Sequence, residues 1–119
     1  MPVWTHPPAD APIGGGGSYS ISVNGDPGGQ GSSSSFPLGT ATFTTNLDPP
    51  PGGQTYSLSR VDGDSRISGS TSGSSASFFV SGISAGETVS ARFQVSATGN
   101  SGSTASAVFY VGAYRFSGS

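Results

Sequence analysis

The chain has 119 residues but only four basic and six acidic side chains, with no lysine, no cysteine and one histidine. So few ionisable groups leave little for catalysis, and a net charge of -2 without lysine removes the attraction that drives binding to phosphate backbones. Zero cysteines exclude disulfides and thiolate metal sites, while the length suffices for one domain with a real core.

Residues 1–17 read as an arm. Pro2, Pro7, Pro8 and Pro12 make a stiff polyproline-like stretch, and Gly14 to Gly17 make a flexible hinge, so the domain is expected over 18–119. Met1 leads into Pro2-Val3-Trp4 without a basic segment or an apolar run. The expectation is therefore synthesis in the cytoplasm, no secretory signal and no membrane insertion.

Only 32% of the chain is apolar, and Gly, Ser and Thr dominate the rest, a composition that alone would suit a linker. Periodicity decides otherwise. Tyr19, Ile21 and Val23 alternate with polar residues as a half-buried strand requires, and Asn24-Gly25-Asp26-Pro27 ends that run. A Gly/Ser loop is expected to about Gly39. The next strand reads Ala41, Phe43, Thr45, Leu47 before Asp48 and three prolines stop it. A third spans Thr55 to Val61, with Tyr56 and Leu58 on one side, and turns at Asp62-Gly63-Asp64. A short edge piece surrounds Ile67, followed by a Ser/Gly loop to about Ser75.

The second half patterns more strongly. Ala76, Phe78 and Val80 alternate, Gly82 to Gly86 turns the chain, and Val89, Ala91, Phe93, Val95 and Ala97 form a strand with one buried face. After a turn over Thr98 to Gly102, Ala105, Ala107, Phe109 and Val111 make the last strand, with Tyr110 on its other face. Helical periodicity is absent. Six or seven short strands in about 100 residues predict an all-β fold, an antiparallel β-sandwich with Greek-key connections.

The run from Gly82 to Thr98, followed by a Gly/Ser turn and Ser103 to Val111, resembles the last hairpin of bacterial and phage immunoglobulin-like domains. Tyr56 to Asp64, with Ile67 after it, is similar to the middle strands of such modules in tailed-phage virion proteins. The resemblance covers roughly residues 18 to 112. The chain lacks the cysteines and central tryptophan of antibody-type domains. What the resemblance implies is an immunoglobulin-like sandwich of about seven strands with an N-terminal arm, serving display or adhesion on capsid, tail or surface proteins.

Candidate chemistry is sparse. Gly82-Ile83-Ser84-Ala85-Gly86 fits the G-x-S-x-G pattern, but a nucleophile elbow needs a strand-to-helix turn and a histidine base. Here it joins two strands, and the one histidine, His6, sits in the arm, so it reads as a turn. Asp62 and Asp64 could face a Ca²⁺, but six to eight oxygens are needed and a solvated turn is the simpler reading. No cofactor, metal site or enzymatic activity is expected.

Aromatic residues point to surfaces. Phe43, Tyr56, Phe78, Phe93 and Phe109 fall on the buried phase, whereas Phe79, Tyr110, Tyr114 and Phe116 fall outside it. Trp4 has no local core to enter. It belongs to a docking arm, to a flap over the protein's own sandwich, or to a disordered tail. Candidate partner-binding residues are thus Val3, Trp4, His6 and Ile13 in the arm and Tyr110, Tyr114 and Phe116 in the body. Two functions stay open. One is a non-enzymatic accessory of a tailed-phage particle, on the capsid or tail surface, contacting other virion proteins and copies of itself. The other is an adhesin for host-surface glycans or proteins, with the outward aromatics as its platform.

Overall fold

The computed structural model of the chain describes residues 19–117. Its strands are β1 (Ile21–Gly25), β2 (Gly28–Gly31), β3 (Ser35–Thr45), β4 (Ser57–Gly63), β5 (Ile67–Ser72), β6 (Ser75–Ser81), β7 (Thr88–Thr98) and β8 (Thr104–Arg115), with no helix among the described residues. They form two four-stranded sheets, ordered β1-β3-β6-β5 and β2-β8-β7-β4. The described residues form an all-β sandwich of eight strands.

Alternation explains the two layers. On β7, Val89, Ala91, Phe93, Val95 and Ala97 are buried, while the residues between them are half-buried or exposed. On β6, Ala76, Phe78 and Val80 do the same from the opposite sheet. Phe109 sits at the centre with no exposed surface. Its ring lies 6.1 Å from Phe43, 5.9 Å from Phe78 and 6.2 Å from Phe93, separations at which aromatic pairs attract beyond simple burial. Gly69 of β5 lies opposite Phe78. A Cβ there would fall 2.6 Å from that ring and 3.0 Å from Leu58, so glycine makes room for the ring.

Three elements differ from the sequence reading. β2, with the sequence GGQG, falls inside the expected Gly/Ser loop and pairs parallel to β8, so the sandwich is not wholly antiparallel. The cause is the break at Asp26-Pro27: β1 pairs with β3 on one sheet, and the chain then crosses to the edge of the other while keeping its direction. β3 begins at Ser35, ahead of the expected Ala41, because the register shifts between Pro37 and Thr40 and changes the phase of alternation. Phe36 and Leu38 are buried before the shift, Ala41 and Phe43 after it. β5 continues to Ser72, through residues expected to be loop.

Candidate partner-binding surface

Charge is divided unequally between the sheets. β1, β3, β5 and β6 contain no charged residue, whereas β4 carries Arg60 and Asp62, β7 carries Arg92 and β8 ends on Arg115. The outer face of the uncharged sheet is lined by hydroxyls: Thr40, Thr42 and Thr44 on β3, Ser75 and Ser77 on β6, Ser68 and Ser70 on β5. One large apolar side chain breaks it. Phe79 is 43% exposed and lies in register with Pro37 on one side and Ser68 on the other. Together with Ser70 and Ser77 they line a shallow groove of about 400 Å³.

The charged residues are mostly engaged with one another. The Arg66 guanidinium binds Asp64 through Nε and Nη2 at 2.9 and 2.8 Å, and Glu87 through Nη1 and Nη2 at 2.9 and 2.7 Å. Hydrogen bonds from the Arg66 side chain and backbone hold the Asp64 carboxyl at about 2, below the usual range. Glu87 is lowered by Arg66 and by the Ser84 backbone N–H, and Arg66 is raised by both carboxylates. Asp62 accepts from Arg92 Nη2 at 2.6 Å. Both carboxylates weighed as calcium ligands are therefore committed to arginines. No group of three or more His, Cys, Asp or Glu gathers among the described residues.

Ser84 lies in the loop between β6 and β7, two strands of opposite sheets. Its backbone N–H donates to Glu87 Oε1 at 2.9 Å, which makes the G-x-S-x-G segment a braced turn.

Of the expected partner-binding residues, Val3, Trp4, His6 and Ile13 lie outside the described residues. Phe116 and Tyr110 are half-buried. Tyr114 corrects its expectation: it is 5% exposed and offers almost no outward surface. β2 pairs beside it through Gln30, and the Phe116 ring meets it edge-on at 6.0 Å. The Phe116 N–H in turn donates to Gly31 O at 2.8 Å, fixing the tail against β2. Val108, on the same outer face of β8, is also buried at 7% exposure. The uncharged sheet was missed because β1 and β3 lie far in sequence from the β5–β6 hairpin and only topology brings them together; Phe79 alone signalled it, by falling out of phase.

Comparisons with protein-family models, curated proteins and solved structures return no match to the chain.

Proposed function

We propose that the protein is a non-enzymatic accessory of a tailed-phage particle that decorates the outer surface of the capsid, or the tail, through an immunoglobulin-like sandwich. Assembly takes place in the host cytoplasm and the mature site is the virion surface. The strand order supports the fold half of this reading: β1-β3-β6-β5 opposite β8-β7-β4 follows the ABED and CFG sheets of immunoglobulin-like domains, with the first strand divided between them.

The observation that carries the functional half is the uncharged, hydroxyl-lined sheet face around Phe79. Burying a Lys or Glu against a neighbour costs about 1 kcal/mol of side-chain entropy and more in desolvation. Ser, Thr and Gly avoid both costs. Such a face suits broad contacts repeated many times in an assembly, and the arm, with Val3 and Trp4, supplies an anchor.

A second reading is favoured by the groove itself. An aromatic ring beside Pro37 and surrounded by serines offers an apolar surface and hydroxyl partners together, which suits a glycan and hence an adhesin.

Co-sedimentation with bare particles tests the first reading. The full chain should bind, deletion of residues 1–17 should abolish binding, and Trp4→Ala should cost about 2 kcal/mol or more of it, as interface anchors do. Equal occupancy for all three chains would move attachment to the sandwich. Failure of the full chain to bind, with glycan binding that Phe79→Ser removes, would establish the adhesin instead.

A further inference from the structure

The strands that end the two sheets are β1 and β5 in one, β2 and β4 in the other. A terminal strand presents a row of backbone N–H and C=O groups to the outside, and proteins guard such rows with charge, proline, bulges or brevity. Three of these strands are guarded. β4 carries Arg60 and Asp62, with a register shift between them. β2 has four residues and follows Asp26-Pro27. On β1 the same Asp26-Pro27 step turns the chain off its sheet.

β5 has no such device. Its six residues, ISGSTS, include no charge and no proline, and they keep unbroken register with β6 from Ile67 opposite Val80 to Ser72 opposite Ser75. Every residue after Ile67 is exposed. Among the described residues, no backbone hydrogen bond outside the β6 ladder involves residues 68–72. Arg66, the charge nearest this edge, is held by Asp64 and Glu87.

We propose that β5 is a self-association edge: a second copy of this chain pairs its own β5 antiparallel to it, closing a two-fold dimer with one continuous sheet. The chemistry of the edge selects a copy as its occupant. Antiparallel pairing of identical strands covers both unguarded edges at once and closes the assembly. A register centred on Ser70 puts Ser70 opposite itself, Ser68 opposite Ser72 and Gly69 opposite Thr71, each pair on a matching face. All are small, so nothing obstructs the approach. Each copy also brings an uncharged sheet up to the seam, so no like charges meet across it. A charged strand from another protein would instead face serines and glycine with no counter-ion. The inference stands apart from the virion reading, because its test uses the purified chain alone.

The experiment is sedimentation of the full chain across concentration, with Ser70→Lys, and oxidative trapping of Ser70→Cys and Thr42→Cys. The chain has no cysteine of its own, so any disulfide reports the introduced residue. Directly opposed residues in a sheet approach closely enough for a disulfide, and opposed lysines repel. The expected result is a dimer whose dissociation constant rises about tenfold or more in Ser70→Lys, with the melting temperature unchanged at concentrations where both chains are monomeric. Ser70→Cys should trap a covalent dimer rapidly, while Thr42→Cys, exposed on β3 of the same face, should not. If Ser70→Lys failed to fold, the trapping arm would still decide. A monomer at every concentration, a dimer indifferent to Ser70→Lys, or equal trapping at both cysteines would overturn the proposal.

Discussion

Arg66 and Glu87 meet end-on, Nη1 to Oε1 at 2.9 Å and Nη2 to Oε2 at 2.7 Å, across 21 positions of sequence. The same guanidinium holds Asp64 and donates from Nη1 to Gly82 O at 3.1 Å. All five of its N–H donors are thereby used, a fit that only a planar fork provides. Three segments converge on it: the turn before β5, the end of β6, and the loop leading to β7. The clamp ties the two sheets together at one end of the sandwich, where Arg115 Nη1 also donates to Ile83 O at 3.1 Å.

This clamp predicts acid sensitivity. Asp64 and Glu87 are both lowered in the folded chain, Asp64 to about 2. Their stabilising effect is thus complete above the unfolded carboxylate values near ~4 and is lost as pH falls through the folded ones. Calorimetric melting should hold near neutrality and decline from about pH 5 toward 2. Arg66→Lys keeps the charge but loses the fork, so it should melt lower at pH 7 and show a shallower acid decline. An acid curve identical to the parent's would place the sensitivity elsewhere.

Neighbouring phenylalanines on β6 test the strand phase. Phe78 is buried at 2% exposure and Phe79 is open at 43%. Phe78→Ala should cost about 3 to 5 kcal/mol, and Phe93→Ser, which adds a buried hydroxyl, at least as much, against a total of about 5 to 15. Phe79→Ala should stay within about 0.5 kcal/mol, as exposed positions do. Urea titration of the three variants reads this directly, and comparable losses at Phe78 and Phe79 would refute the phase.

The sequence made the strands with regular alternation legible, and the failures have identifiable causes. β7 and β8 were readable because five inward residues on β7 and Ala105, Ala107, Phe109 and Val111 on β8 keep strict period two. β2 was not, because GGQG has no apolar side chain and exists as a strand only through its backbone pairing with β8. The first half of β3 was hidden by the shift at Gly39, which separates Phe36 and Leu38 from Ala41 and Phe43 by an odd step. The candidate surface was the least legible part. Tyr114 looks outward by phase, yet it is buried, with β2 paired beside it and the Phe116 ring against it, neighbours that alternation does not reveal.

Gly63 is expected to be the costliest exposed glycine to replace. Its φ is +99°, and a Cβ there would lie 2.5 Å from Ala91 Cα and 2.7 Å from Ser90 O, both backbone atoms that cannot yield. Gly52 has a similar φ of +92° but open space around it. Gly52→Ala should therefore cost the backbone strain alone, about 1 kcal/mol, while Gly63→Ala should cost clearly more and disturb the β4–β7 ladder. Chemical denaturation measures the first difference, and amide exchange at Ala91 and Arg92 the second. Equal costs would remove the steric argument.

Calcium should have no effect on this chain at micromolar concentration. Asp64 accepts two hydrogen bonds from the Arg66 guanidinium and one from its backbone N–H, and Asp62 pairs with Arg92, so a cation would have to displace both arginines to gain fewer oxygens than it requires. Isothermal titration should show no heat and melting should not shift. A shift that Asp62→Asn abolishes would prove a site built from this turn.

The arm gives the last test, and it separates two roles for Trp4. Val108 and Tyr114 are buried on the outer face of β8, opposite the core. A tether that docks on a partner contributes nothing to the isolated fold, whereas a flap lying over this face would shield these side chains. Deleting residues 1–17 should leave the melting temperature of the purified protein unchanged if Trp4 is reserved for a partner, and Trp4→Ala should then affect particle binding alone. A drop of several degrees on deletion, matched by Trp4→Ala, would mean that the arm stabilises its own sandwich. The tryptophan fluorescence maximum gives an independent reading, because Trp4 is the only tryptophan in the chain. Emission typical of water in the free protein, shifting to the blue on binding particles, is the outcome the docking role requires; emission already blue in the free protein would end it.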